Sequence, residues 1–555
     1  MLLLTPSGVT GAVPDIWDLD WITTGELKAE VKSDTTVELF GRPVRQIELT
    51  YLSEIWRGEE IRIAGHLAIP GNLKEGEKVP GIVWGHGHMG TGSMELATGE
   101  ALALNAAVIS IDSPGQGGST GPRDSAYHWL NVADDPRDGY LYHYAVAAMR
   151  AITYLRTLPE VDGELIGIIG GSMGGIMTML VNSVDPRVKV AISLIACGGW
   201  EDDMRDNNSW LNVLLLDPLG IGTDDIRFRR FIDYFDPINY AADQKGRLLI
   251  IVGAQDGFFP ITGISKTARK LPPKDRLEVI YDFDHGGFRK YNEEDDTYDN
   301  SAEIDRRLNA EKFWWKLLSH NPPEIPEMPR AAMSVDGSTV TFSADVDAPE
   351  RVERVLLCYS TDGSYTYTKV VMRPEDGRYT SSVILNDVER KRLCYFVEVE
   401  YRDPTFFLSS IPHLGPEFKL KIRPLNPGKE MIRREMRDED AIALYEKEIS
   451  DTTASLSERL WDEWRLGRFY FLSKKFDRAV ETFESVISKS PSPYFEDVVP
   501  QSLLWEGLSL AQLGRRDEAI AKLERAMEIY PKCENFREKK LDEIKRHLAK
   551  MKLSR

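Results

Sequence analysis

An α/β fold is predicted for residues 45–320 of this chain, followed by an all-β sandwich over 330–423 and an all-α repeat region over 435–555. Three observations carry that expectation. Buried, β-branched runs alternate with helical stretches through the first region, the pattern of a mostly parallel sheet. One such run, Ile166-Gly167-Ile168-Ile169, stops at Gly170-Gly171-Ser172-Met173-Gly174-Gly175, a strand that turns sharply into a helix with a serine at the apex. Near the C-terminus, two blocks repeat one spacing of small and large residues.

Size and composition bound the alternatives. A chain of 555 residues is too long for one core, so several domains are expected. The hydrophobic content of 42% and charged content of 28% are those of ordinary globular protein. A formal net charge of −19 disfavours nucleic acid or an anionic membrane as the main partner, because both would repel it. Cys197, Cys358, Cys394 and Cys533 form no C-x-x-C pair, so no metal or redox motif is indicated. Cys358 and Cys394 fall in strand-like runs of one region and are expected as buried free thiols rather than a disulfide. No apolar run reaches the roughly 18 residues of a membrane span. The start, Met1-Leu2-Leu3-Leu4-Thr5-Pro6, lacks a basic region and a long apolar core, so a cytoplasmic location is the expectation.

Residues 1–44, with Trp17, Trp21 and Phe40, are expected to be a cap packing on the α/β core. Gln46–Leu52 and Glu60–Ile69 read as strands, the second alternating as a half-buried strand should. Gly81–Trp84 is a short buried strand that ends in Gly85-His86-Gly87-His88-Met89-Gly90. That loop also spells G-x-G-x-x-G, with Asp112 ending another strand (Ala107–Ile111) 22 residues after Gly90, the layout of a dinucleotide fingerprint. Against that reading, two strands already precede this one, and Asp112 runs on into a second loop, Ser113-Pro114-Gly115-Gln116-Gly117-Gly118-Ser119. Residues 138–157 read as an amphipathic helix, with Tyr140, Tyr144, Ala147, Ala148, Ala151, Ile152 and Leu155 at helical spacing.

The elbow glycines have a physical reason. A serine at such an apex adopts a strained backbone, and a Cβ at Gly170 or Gly174 would collide with neighbouring backbone. The helix start after Ser172 offers unpaired N–H groups to a developing oxyanion. Two further strands, Arg247–Gly253 and Leu277–Tyr281, are each followed by a chemically useful side chain, Asp256 and His285. A serine hydroxyl needs a base within hydrogen-bond reach, imidazole titrates near neutrality, and a carboxylate holds the imidazole tautomer. Ser172, Asp256 and His285 are therefore the candidate catalytic residues. Asp256 is preferred over Asp282 and Asp284 because it follows its own core strand, and His285 over His320, which lies beyond the last core helix. Backbone N–H groups of His88 and Met173 are the candidate oxyanion donors. His86 is expected to be structural. Residues 199–240, with Trp200, Trp210, Phe228, Phe231, Tyr234 and Phe235, form an insertion expected to act as a lid.

Together, His86-Gly87, Asp112 with its glycine loop, Leu158-Pro159-Glu160-Val161-Asp162, Gly170 to Gly175, Asp256 and His285 resemble the α/β-hydrolase superfamily. The nearer resemblance is to esterases of the dienelactone hydrolase and acetyl xylan esterase (cephalosporin-C deacetylase) kind. It implies an α/β-hydrolase fold with a lid insertion and hydrolysis of small-molecule esters, often of short acyl groups, with no metal or cofactor. Those esterases usually carry Tyr after His-Gly and Gln after the serine, where this chain has His88 and Met173.

A Pro-rich linker at 321–329 leads into six strand-like runs separated by turns such as Thr361-Asp362-Gly363, a β-sandwich pattern resembling immunoglobulin-like or fibronectin type III modules. A second linker, Arg423 to Gly428, precedes the helices. There Gly467, Tyr470, Ala479, Phe483 and Pro491 are matched by Gly507, Leu510, Ala519, Leu523 and Pro531, spacings that fit two tetratricopeptide repeats. Both appended regions are expected to serve homo-oligomer contacts or a protein partner. Three other readings stay open: a serine peptidase or amidase on the same fold, a dinucleotide enzyme, and a repeat scaffold with a vestigial hydrolase site.

Overall fold

The computed structural model describes residues 13–201, 209, 211–281, 283–285, 290–292, 297–299, 311–402, 405–421, 428–533 and 535–553. Trp210, Asp282, Gly286 to Phe288 and most of the second linker lie outside the described residues. The chain divides into two compact units, Met1–Asn426 and Pro427–Arg555.

A nine-stranded sheet organises the first unit. Its strands are β1 (Glu30–Leu39), β2 (Arg42–Trp56), β3 (Glu59–Pro70), β4 (Val79–Gly85), β5 (Ala107–Ile111), β6 (Val161–Gly171), β7 (Val188–Leu194), β8 (Arg247–Gly253) and β9 (Arg276–Ile280). The spatial order is β1-β2-β3-β5-β4-β6-β7-β8-β9. From β5 to β9 every pairing is parallel, while β1, β2 and β3 join antiparallel. The register sets Gly85 beside Gly170 and Gly170 beside Ser193, so the carboxyl ends of β4, β6 and β7 reach one edge together. Ligands of such sheets bind at that edge.

The apolar runs of β4 to β9 are buried on both faces because helices cover both. Ile166 and Ile168 pack with the helices Tyr140–Leu155 and Met173–Val184. Ile169 packs on the other face with Ala97, Ala101 and Trp314. Each fully buried Ile or Leu of this kind contributes about 1.5–3 kcal/mol. Gly167 leaves room for the Trp315 ring, which a Cβ there would overlap.

Two expectations for this unit need correction. Residues 30–39 are not part of a cap; they are the edge strand of the sheet itself. Phe40 does not pack on the core either. It sits at the β1–β2 turn with φ +53° and is 96% exposed. The helix Tyr140–Leu155 is buried almost all round rather than amphipathic, because the segment at residues 17–26 lies over its outer side.

Arg150 locks that segment down. Its guanidinium is fully buried and donates to the carbonyls of Leu52, Ile22, Gly25 and Glu26 at 2.7–3.2 Å, with Trp21 stacked 4.7 Å away. Hydrogen bonds to a charged group are worth about 1.5–3 kcal/mol each and are not fully additive. Arg150→Ala is therefore expected to cost about 3–5 kcal/mol in urea unfolding. A loss below about 1 kcal/mol would show that the segment is held by other contacts.

Residues 330–414 form two antiparallel sheets. One contains Arg330–Asp336, Thr339–Asp345, Arg378–Ile384 and Arg373–Glu375; the other is centred on Val352–Ser360 and Cys394–Tyr401. Phe342, Leu357, Val397 and Tyr401 fill the space between them. Cys358 and Cys394 are not joined in a disulfide, and burial pushes the Cys394 thiol up to about 12. This region packs against the end of the large sheet, where the Ser409 hydroxyl accepts the Val279 N–H at 2.9 Å. It also reaches the loop after β8: Ser364 Oγ donates to the Ala254 carbonyl at 2.9 Å, and Gln255 Nε2 donates to the Tyr365 carbonyl at 2.6 Å.

The second unit is all helical. Leu456–Leu472 and Phe476–Lys489 form one pair, Val498–Gln512 and Arg516–Ile529 the next, flanked by Asp438–Ile449 and Glu538–Leu553. Gly467 lets the first pair close, since a Cβ there would stand 2.7 Å from the Phe483 ring; Gly507 does the same against Ala519 and Leu523. No helix among the described residues is long and apolar enough to cross a membrane.

Candidate active site

Ser172 sits where β6 passes into the helix Met173–Val184, with φ +56° and ψ −118°. That left-handed conformation costs of order 1–3 kcal/mol and persists only because the surroundings impose it. The Ser172 N–H is held by the Leu194 carbonyl of β7 at 2.9 Å. A Cβ on Gly170 would overlap the Gly174 backbone, and one on Gly174 would overlap the Gly85 carbonyl of β4. Gly174→Ala is accordingly expected to lower stability by about 1–3 kcal/mol in thermal or urea unfolding, because backbone rather than a flexible side chain must move. Unchanged stability would mean that the elbow has slack.

The hydroxyl of Ser172 lies 2.9 Å from His285 Nε2. His285 Nδ1 faces Asp256 at 2.9 Å from Oδ2 and 3.1 Å from Oδ1. Asp256 is 2% exposed, and its Oδ1 also accepts the N–H groups of Phe258 and Phe259 at 2.7 and 3.0 Å. The Phe258 ring lies 4.1 Å from the imidazole and Phe259 5.6 Å. The fold thus brings Ser172, His285 and Asp256 together from the ends of β6, β9 and β8. His320 lies elsewhere, bonded to Asp162 at 2.8 Å near the opposite end of β6.

Gly87 follows β4 and abuts the elbow: a Cβ on it would stand 3.3 Å from Ser172 Cβ. His86 supports this loop. Its Nδ1–H donates to the Gly87 carbonyl at 2.7 Å, and its Nε2 accepts the Ser113 N–H at 2.9 Å. Burial pulls its pKa below the ordinary imidazole value, in keeping with a neutral ring. Within the loop, the Gly90 N–H donates to the Gly87 carbonyl at 2.9 Å. His88 Nδ1–H donates to Asp124 at 2.8 Å and the Met89 N–H donates to its second oxygen at 2.7 Å. Met173, the other expected donor, opens the helix after Ser172, where backbone N–H groups have no acceptor within the helix.

Asp112 is spent inside the protein. It is 2% exposed and accepts the N–H groups of Gly92 and Gly118 at 2.6 and 2.7 Å. No ribose hydroxyl can reach a carboxylate so committed, which removes the support for a dinucleotide fingerprint. Over the site edge, the rings of Phe259, Trp200, Phe231 and Trp129 follow one another at centroid distances of 5.5–6.3 Å. Trp129 in turn meets His88 at 5.7 Å. Trp200 and Phe231 come from the expected lid; residues 202–208 of that segment lie outside the described residues. Sequence reasoning missed Asp124, Trp129, Phe258 and Phe259. Phe258 and Phe259 adjoin Asp256 and were within reach; nothing distinguished Asp124 from other loop aspartates.

The first unit has an α/β-hydrolase fold, and the second unit carries paired helices of the tetratricopeptide kind. Residues 147–301 match the family model of the Prolyl oligopeptidase family, and residues 15–197 that of Acetyl xylan esterase (AXE1). Residues 463–492 and 501–532 match the Tetratricopeptide repeat. A curated relative is Acetyl esterase Axe7A of Xylanibacter ruminicola, 30% identical over 138 residues, which are 24% of this chain and 30% of that protein. The chain thus spans less than a third of the length of that relative. Among solved structures, an acetyl xylan esterase from Paenibacillus sp. R4 is similar at 21% identity over 50% of this chain and 91% of that one, with a TM-score of 0.42. Acetyl Xylan Esterase 1 from Thermoanaerobacterium sp. JW/SL YS485 is similar at 19% identity over 50% and 90%, with a TM-score of 0.41.

Proposed function

We propose that this chain is a serine hydrolase that cleaves carboxylic esters of short to medium acyl chains through an acyl-enzyme. The observation that carries the reading is the unbroken relay from Ser172 Oγ through His285 to a buried Asp256 at the carboxyl edge of the sheet. Ser172 attacks the ester carbonyl as His285 Nε2 takes the hydroxyl proton. The tetrahedral oxyanion is met by the N–H groups of His88 and Met173, each worth about 2.7–4 kcal/mol of barrier. His285 then returns the proton to the departing alkoxide, leaving acyl-Ser172. A water deprotonated by His285 releases the acid and restores the serine. Asp256 holds the Nδ1–H tautomer and steadies the imidazolium throughout.

Short acyl groups suit the buried ring series of Phe259, Trp200 and Phe231, whose first ring lies 5.6 Å from His285. The relative from Xylanibacter ruminicola, named as an acetyl esterase, supports this reading. The test is hydrolysis of p-nitrophenyl esters from acetate to octanoate, beside aminoacyl p-nitroanilides. A maximum at the short esters is expected. A clear preference for the anilides would instead favour a peptidase, the reading that the match to the Prolyl oligopeptidase family supports. The repeat region is read as a surface for a protein partner or a second copy.

A further inference from the structure

The loop proposed to supply an oxyanion donor has an anchor that none of the expected site residues provides. Asp124 belongs to the Pro122-Arg123-Asp124 segment, far in sequence from both the loop and the elbow. Its side chain is fully buried. It takes three donors at once: the Met89 N–H at 2.7 Å, His88 Nδ1–H at 2.8 Å and Trp129 Nε1–H at 2.7 Å. A carboxylate has no proton to give and about four lone-pair positions to fill, so this set suits the ionised form. Burial pushes the carboxyl up, but the charge and hydrogen bond of His88 and the donors from Met89 and Trp129 outweigh it and hold it at about 2. Asp124 therefore stays ionised near neutral pH.

What it holds is also telling. Met89 has φ +59°, a left-handed conformation rare for a residue with a long side chain, and its N–H is turned into Asp124. With the Met89 and Gly90 N–H groups both committed inside the loop, the peptide that follows Gly87, beside Ser172, is fixed in orientation. An oxyanion donor is useful only when it is held before the charge develops, and a displacement near 1 Å costs on the order of 10²-fold.

We propose that Asp124 is the positioning residue of the oxyanion loop: by gripping Met89 and His88 it aims the His88 N–H at the carbonyl oxygen attacked by Ser172. The proposal rests on the esterase reading above. Asp124 does not touch substrate; it acts through the loop.

The test compares p-nitrophenyl acetate with its thionoacetate, in native protein and in Asp124→Asn. Backbone N–H donors favour oxygen over sulfur as the developing anion, so an aimed loop gives a large oxygen-to-sulfur rate ratio and a loosened one a smaller ratio. Asp124→Asn offers an amide where three donors expect a carboxylate. It is expected to lower kcat on the acetate about 10–100-fold, leave KM within about threefold, and narrow the ratio. A kcat unchanged from native, or a loss with the native ratio, overturns the proposal. Should Asp124→Asn fail to fold, His88→Asn carries the test: it removes the imidazole grip, and a ratio equal to native is then the overturning result. Failure of the parent reading looks different. The native chain would not hydrolyse the acetate at all, or Ser172→Ala would hydrolyse it as fast, and the proposal would fall with it.

Discussion

Ser172→Ala is expected to lower kcat on short aryl esters by at least about three orders of magnitude. The reason is specific to the geometry. Alanine removes the hydroxyl that lies 2.9 Å from His285 Nε2, so no acyl-enzyme can form on residue 172. The remaining machinery, oxyanion donors and binding, supports about 10³–10⁴-fold over water by direct attack, which sets the floor to which activity should fall. The elbow itself should survive, because its strained backbone is enforced by the contacts of Gly170, Gly174 and the Leu194 carbonyl rather than by the hydroxyl. Single-turnover mixing with p-nitrophenyl acetate is the decisive measurement. Native protein should show a burst equal to enzyme concentration if deacylation is slow, and the variant none. A loss of less than tenfold, with the variant folded, would remove Ser172 from the nucleophile's role.

Asp256→Asn is expected to cost about 10⁴-fold in kcat, with KM little changed. The substitution is nearly isosteric, and its carbonyl oxygen can still accept the N–H groups of Phe258 and Phe259, so the loop after β8 keeps its shape. What changes is the proton on His285. The amide NH₂ turned toward Nδ1 donates, so Nδ1 becomes the acceptor and the ring proton moves to Nε2. That nitrogen can then no longer take the proton from Ser172. The imidazolium formed during attack also loses its counter-charge. Thermal unfolding should be close to native while kcat collapses, which separates this variant from Arg150→Ala, where stability is the quantity lost. Activity within tenfold of native would mean that another group orients His285.

Local signals made much of the architecture legible. The runs in β4 to β9 are short, apolar and β-branched because helices cover both faces, and that composition can be read from the chain alone. The tetratricopeptide spacing is legible for the same reason: Gly467 and Phe483, or Gly507 and Leu523, recur where paired helices must approach. The edge strand β1 was not legible. Its sequence, Glu30-Val31-Lys32-Ser33-Asp34-Thr35-Thr36-Val37-Glu38-Leu39, is exposed along most of its length, so it carries no apolar alternation, and only pairing with β2 makes it a strand. The helix Tyr140–Leu155 misled in the other direction. Arg150 is not among the apolar positions read for that helix, yet it is buried against the carbonyls of residues that lie more than a hundred positions earlier.

By itself the sequence determined the α/β class, the strand–turn–helix around Ser172 and the repeat region, because each depends on periodicity or on glycine at neighbouring positions. Which groups meet was decided only by the tertiary structure. Asp256 lies 29 residues from His285 and Asp124 lies 36 from His88, and no local pattern links either pair. Their meeting follows from parallel register, which brings the ends of separated strands to one edge. Burial then makes each carboxylate selective, since a charge removed from water must find all its donors within the protein.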